Sequence, residues 1–147
     1  MKIDLRKIKR SGKDYEDLDF SLDLKEDVLD FEGAKIENPI KVTGQVTLTG
    51  EHSVLLDLSV DFVVVGKCAR CLEDAKAVCS AEIVDDISMD GDLNYAVIND
   101  TVELDKIIED AVILNAPTVL YCKQDCEGIC PGCGENLNYG QCKCKKQ

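Results

Sequence analysis

Nine cysteines stand in this chain of 147 residues, and eight of them come in tight pairs. The pairs are C-x2-C at Cys68/Cys71, C-x3-C at Cys122/Cys126, C-x2-C at Cys130/Cys133 and C-x-C at Cys142/Cys144. A short peptide bite presents two thiolates to one ion, and four thiolates in a tetrahedron are the preferred shell of structural zinc. Eight ligands make two closed sites, so the spacing predicts two Zn2+ per chain and no open coordination position. Cys79 stands alone on the apolar side of an alternating segment. It is expected to be a buried thiol acting as a small hydrophobe.

Only eight residues separate Cys133 from Cys142, so Cys130, Cys133, Cys142 and Cys144 can close a local site. Cys68, Cys71, Cys122 and Cys126 would then form the other, across 50 intervening residues. A swapped scheme, with Cys68/Cys71 joined to Cys130/Cys133, stays open at this point. Other thiol chemistries fit less well. A redox C-x-x-C belongs at the end of a strand opening a helix, whereas Cys68-Ala69-Arg70-Cys71 links two alternating segments. Cys126-x3-Cys130-x2-Cys133 has the spacing of radical-enzyme iron–sulfur ligands, but those motifs sit on far larger barrels. Catalytic zinc needs an open position and a base; the single histidine, His52, falls in a turn. No carboxylate cluster, phosphate loop or nucleophile–base pair is apparent, which points to a protein that is not an enzyme.

The elements that must position these thiols follow from period-2 patterning. Ile40 to Gly50 alternates, with Ile40, Val42, Val46 and Leu48 on one face. After the turn Gly50-Glu51-His52-Ser53, a second strand runs from Val54 to about Gly66, and a third from Ala75 to Ser88. So short a link between the first two requires an antiparallel hairpin. A short strand is expected over Tyr95 to Ile98. A helix is expected from about Thr101 to Leu114, opened by a capping box of Asp100 and Glu103 and striped by Leu104, Ile107, Ile108, Ala111 and Val112. Thr118 to Tyr121 should be extended. At the N-terminus, Ile3–Leu5 and Phe20–Leu24 read as strands with an acidic loop between them. The fold class is therefore α+β: mostly antiparallel sheet with one covering helix and a small C-terminal zinc-bound module. The boundary falls between a domain over 1–121 and a cysteine-rich tail over 122–147.

The net charge of −12 opposes broad binding to nucleic acid. It is unevenly spread: residues 1–13 are basic, while residues 14–32 hold nine acids against Lys25 alone. No secretory leader and no membrane span is apparent. A cytoplasmic location is expected, where thiols stay reduced and paired cysteines point to metal rather than disulfides.

Two passages resemble a known family. The first is Val65-Gly66-Lys67-Cys68-Ala69-Arg70-Cys71-Leu72-Glu73. The second runs from Leu120-Tyr121-Cys122 through Cys126, Cys130-Pro131-Gly132-Cys133-Gly134 and Asn136-Leu137-Asn138 to Cys142-Lys143-Cys144. Together they are similar to the YceD family, the large ribosomal RNA subunit accumulation proteins. The resemblance implies a non-catalytic role in accumulating large-subunit (23S) rRNA or assembling the large subunit. It implies the pre-large subunit or 23S rRNA as partner, with a link to the small zinc-binding ribosomal protein L32, and no small-molecule substrate. Basic residues Lys7, Lys9, Arg10 and Lys13, and the tail residues Lys143, Lys145 and Lys146, are candidates for phosphate contact. Arg70, inside the first knuckle, is a candidate for an RNA phosphate or a thiolate. An alternative is an acidic zinc-binding chaperone or adaptor for a basic ribosomal protein. Tyr121 and Tyr139 lie beside cysteines and are expected to pack over metal rather than stack on bases.

Overall fold

The computed structural model describes residues 1–25, 27–29, 33–88 and 99–140. Three long strands follow from the alternation: β3 (Lys35–Gly50), β4 (Ser53–Lys67) and β5 (Asp74–Ser88). A tight turn forces β3 and β4 antiparallel, in register at Val46↔Leu56 and Val42↔Val60. β5 pairs along the whole of β4, from Val54↔Ile87 to Lys67↔Asp74. In β4, Val54, Leu56, Leu58, Val60, Phe62 and Val64 are buried, while Asp57 and Asp61 point to solvent. Each fully buried aliphatic of this kind contributes roughly 1.5–3 kcal/mol. An exposed ion pair is worth at most about 1 kcal/mol, so the apolar face sets the register. Gly44 makes the close approach of β3 to β4 possible: a Cβ there would lie 2.1 Å from the Asp57 carbonyl oxygen.

The sheet has a fourth strand, β2 (Tyr15–Leu22), giving the order β2-β3-β4-β5. This corrects the expected acidic loop. Glu16, Asp17 and Asp19 belong to an edge strand, fixed by Leu18, which is buried, and by pairing with Ile40 to Thr47. A charged edge also resists pairing with other chains.

The helix boundaries also differ from expectation. Thr101–Glu103 forms a strand, β6, paired with β1 (Lys2–Asp4), and the helix α2 spans Leu104–Asn115. The capping box does not form. Glu103 occupies the N-cap with no side-chain hydrogen bond, and Asp100 adopts φ of 58° with its carboxylate on His52 at 3.0 Å. β-branched Thr101 and Val102 gain more by pairing with the N-terminal strand than by extending the helix. A second helix, α1 (Leu5–Arg10), was not expected. Asp4 caps it by accepting from the Arg6 N–H at 3.0 Å, and Leu5 and Ile8 are buried. The stripe of α2, Leu104, Ile107, Ile108 and Val112, is buried in the same core as the sheet.

The chain is thus α+β, mostly antiparallel sheet. Among the described residues no helix is long and apolar enough to cross a membrane. The expected strand at Tyr95–Ile98 lies outside the described residues. Thr118–Tyr121 is irregular rather than a strand, though Leu120 is buried and its carbonyl accepts the Ala69 N–H at 2.8 Å. That bond holds the segment after α2 against the β4–β5 turn, where the first cysteine pair sits.

Candidate metal centre

Cys68 follows the last residue of β4, and two residues, Leu72 and Glu73, separate Cys71 from β5. The turn between them folds through three bonds: Cys68 N–H to Glu73 O (2.7 Å), Leu72 N–H to Cys68 O (3.0 Å) and Arg70 N–H to Cys68 Sγ (3.5 Å). Leu72 takes φ of 63° to close it. Both sulfurs thereby face the segment delivered by Leu120. The thiols of Cys68, Cys71, Cys122 and Cys126 lie within 4.8 Å of one another. Cys68 Sγ is 3.6 Å from Cys126 Sγ, and Cys71 Sγ is 3.5 Å from Cys122 Sγ. A disulfide needs about 2.05 Å. A tetrahedral ion with sulfur at about 2.3 Å puts sulfurs about 3.8 Å apart, so the four thiols lie close to the shell of a zinc-class cation. Cys68, Cys71 and Cys126 are buried, and Cys122 is the corner open to solvent.

Without a cation the four thiols share protons unequally. Burial opposes ionisation of Cys68, but N–H groups of Cys71, Cys122 and Arg70 outweigh it and hold the thiol at about 6. The Asn138 amide lowers Cys126. Glu73 N–H favours the Cys71 thiolate, yet burial and the neighbouring thiols leave it raised; burial and the same crowding push Cys122 to about 12. The pocket thus stabilises part of a negative cluster that only a cation would complete.

Arg70 has a structural task here. Its Nη1 donates to the Cys126 carbonyl at 3.0 Å, and its guanidinium stacks 4.7 Å from the centre of the Tyr121 ring. It fastens the first knuckle to the second thiol pair. Tyr121 therefore packs on Arg70, whereas Tyr139 is 80% exposed and lines a surface cavity together with Cys71, Cys122 and Asn138. Asn138, to which no motif assigned a role, donates from Nδ2 to Cys126 Sγ at 3.3 Å and accepts the Glu127 N–H at 2.9 Å. Its contact is tertiary, and no spacing rule could have found it.

The remaining pairs divide. Cys142 and Cys144, with Lys143, Lys145 and Lys146, lie outside the described residues. Cys130 is described, and its turn repeats that of Cys68. Cys130 N–H bonds to Glu135 O (2.9 Å), Gly134 N–H to Cys130 O (2.9 Å) and Gly132 N–H to Cys130 Sγ (3.4 Å). Gly134, with φ of 76°, stands where Leu72 stands in the first turn. Cys130 and Cys133 do not belong to the four-thiol cluster. Cys79 is half-buried rather than buried, its face of β5 being only partly covered near Ala77, and desolvation raises its pKa.

Of the candidate phosphate contacts, Lys7, Lys9 and Arg10 are exposed on α1 and Lys13 follows it. Lys9 is tied to the Glu51 carbonyl at 2.6 Å, and Lys13 lies 5.7 Å from the Tyr15 ring centre. These residues are not near the cysteines: Glu51 precedes β4, and Cys68 follows it, fifteen strand residues later.

The model of the family described as "Large ribosomal RNA subunit accumulation protein YceD" matches residues 56–147, a span that holds all four cysteine pairs. Uncharacterized proteins of Mycobacterium tuberculosis and Mycobacterium bovis are 32% identical over 95 residues, covering 58% of this chain and 46% of theirs. A chloroplastic protein of Zea mays named "Large ribosomal RNA subunit accumulation protein YCED homolog 1" is 31% identical over 72 residues, 48% of this chain and 25% of its own. The chain thus spans about half the length of the mycobacterial relatives. No solved structure matches it.

Proposed function

The chain belongs to the YceD family, and from that premise we propose that it is a non-catalytic factor for accumulation of large-subunit rRNA, built around structural zinc. The observation that carries the role is the family match over 56–147, which includes every paired cysteine. Zinc is the cation that the donor set favours: an all-sulfur, closed and mostly buried cluster suits an ion with no redox task. The turn at Cys130 copies the turn at Cys68 bond for bond, which supports a second zinc held by Cys130, Cys133, Cys142 and Cys144, two per chain. The partner on this reading is the pre-large subunit or its 23S rRNA, met by Lys7 and Arg10 on α1 and by Lys143 and Lys145.

A second reading has its own observation. The register places Asp17, Asp19, Asp57, Asp61, Glu82 and Asp86 on one exposed face of the sheet, with Lys41 among them. That face suits a lysine- or arginine-rich protein, such as ribosomal protein L32, and repels phosphate.

Depletion of the protein tests the role: large-subunit rRNA should fall relative to small-subunit rRNA, and an unchanged ratio would remove the claim. Co-purification with and without RNase separates the two partners. Loss of the partner on RNase treatment favours RNA contact, and retention favours the basic protein.

A further inference from the structure

The segment from residue 128 to residue 137 is a small hairpin. It is closed by the Leu137 N–H to Gly128 O bond (2.9 Å) and a bridge between Ile129 and Asn136, and it carries Cys130 and Cys133 at its tip. Both of its ends touch the four-thiol cluster. At the entry, a Cβ on Gly128 would meet the Arg70 carbonyl oxygen at 3.3 Å, so the hairpin leaves directly from the first knuckle. At the exit, Asn138 turns back. Its Oδ1 takes the Glu127 N–H, and its Nδ2 donates to Cys126 Sγ and to Asn136 Oδ1 (2.9 Å). The amide orientation is fixed by this network, because the backbone N–H of Glu127 demands an acceptor. Asn138 thus sits where the two strands of the hairpin meet, with its donor on a ligand sulfur.

Little apolar burial holds the hairpin in place. Ile129 is 36% exposed, and Cys126 is the buried hydrophobic residue of the tail among the described residues. The geometry at Asn138 therefore depends on whatever orders the knuckle at the tip. On the reading of two zinc sites given above, we propose that the sites are coupled: a cation on Cys130 and Cys133 sets the hairpin, and Asn138 transmits that order to Cys126 as a positioning residue. Occupancy of the hairpin site then slows loss of metal from Cys68, Cys71, Cys122 and Cys126. Outer-shell donors to a metal ligand change affinity by about 10–100-fold, which sets the scale of the effect.

The test uses the full chain, loaded with zinc under reducing conditions and then challenged with a chromophoric chelator. Cys130→Ser/Cys133→Ser should bind one zinc instead of two and release it at least tenfold faster than the slow phase of the parent protein. Asn138→Ala should keep two zinc and accelerate the slow phase to a similar degree. Asn138→Asp, which keeps the acceptor for Glu127 but loses the donor to sulfur, should not rescue it. Combining all three substitutions should be no faster than Asn138→Ala alone. With Co2+ as probe, Asn138→Ala should shift the thiolate charge-transfer band, which a purely structural role would leave in place. Gly134→Val leaves every thiol present but disfavours the positive φ of the knuckle, and should reproduce the serine variants if those fold poorly. Release from the serine variant at the parent's slow rate would overturn the coupling while leaving two sites. A parent chain that binds one zinc, unaffected by the serine substitutions, would overturn the hairpin site and leave the four-thiol centre. A parent chain that binds none would end both.

Discussion

At the scale of single residues, the centre is held by side chains that are not ligands. Arg70 bridges the two halves through one carbonyl bond and one aromatic face. A hydrogen bond from a charged group and a cation–π contact together contribute about 1–3 kcal/mol. Arg70→Ala should therefore lower the midpoint of thermal unfolding and speed zinc loss. Arg70→Lys should restore little, since lysine lacks the planar fork. Thermal melts with and without chelator check this. The thiols also make the site sensitive to acid. Cys122, pushed up to about 12, and Cys71, also raised, keep their protons near neutrality in the metal-free protein. A binding cation must displace both, so affinity should fall about 100-fold per unit of pH lowered. Below about 6 Cys68 gains a proton as well, and the fall should steepen. Chelator competition across pH 5–8 measures the slope; a flat profile would mean that these thiols are not ligands. The grouping of Cys68/Cys71 with Cys122/Cys126 was legible from spacing because bite length is a local property and the other two pairs lie close in sequence. Asn138 and the Arg70–Tyr121 stack were not, because they join segments about 50 residues or more apart or depend on how the tail turns back.

At the scale of elements, β3, β4 and β5 were legible because one face of each is aliphatic and the other polar. β2 was hidden by its acids: Leu18 and Phe20 are its only strongly apolar inward residues before Leu22, too few to outweigh Glu16, Asp17 and Asp19 in the pattern. α1 was missed because six residues carry only Leu5 and Ile8 as a stripe. α2 was placed three residues early because Thr101–Glu103 are claimed by β1, a contact no local rule foresees. Gly44 is the most constrained point in the sheet. Gly44→Ala drives a methyl into the Asp57 backbone. It should destabilise the fold by about 3 kcal/mol, since overpacking costs typically 1–3 kcal/mol and backbone cannot yield as a flexible side chain does. Denaturant titration reads this, and a change under 1 kcal/mol would show that the strands can separate locally.

At the scale of the whole molecule, the long β4 sets the layout. Fifteen strand residues at about 3.3 Å each put the β3–β4 turn, to which Lys9 ties α1, up to about 50 Å along β4 from the four-thiol cluster. Basic helix, acidic sheet face and cysteine-rich tail are therefore distinct surfaces, and a large assembly could be met by more than one of them. They also differ in what holds them. The sheet and α2 bury an aliphatic core that includes Leu56, Leu58, Ile87, Leu104 and Ile108. Among the described residues the tail has no comparable core, and a structural zinc site supplies on the order of 10–16 kcal/mol. Chelation should thus loosen residues 122–140 first and leave β3–β5 folded. Hydrogen exchange should show rapid labelling of the tail amides against persistent protection in β4; uniform loss of protection would mean that the metal holds the sheet as well.

The central claim is that Cys68, Cys71, Cys122 and Cys126 form an all-sulfur shell around zinc. X-ray absorption at the zinc edge of the reduced, full-length protein tests it most directly. Four sulfurs at about 2.3 Å and no light-atom neighbour are the predicted result. A shell containing nitrogen or oxygen, iron in place of zinc, or a folded chain with no bound metal would contradict it.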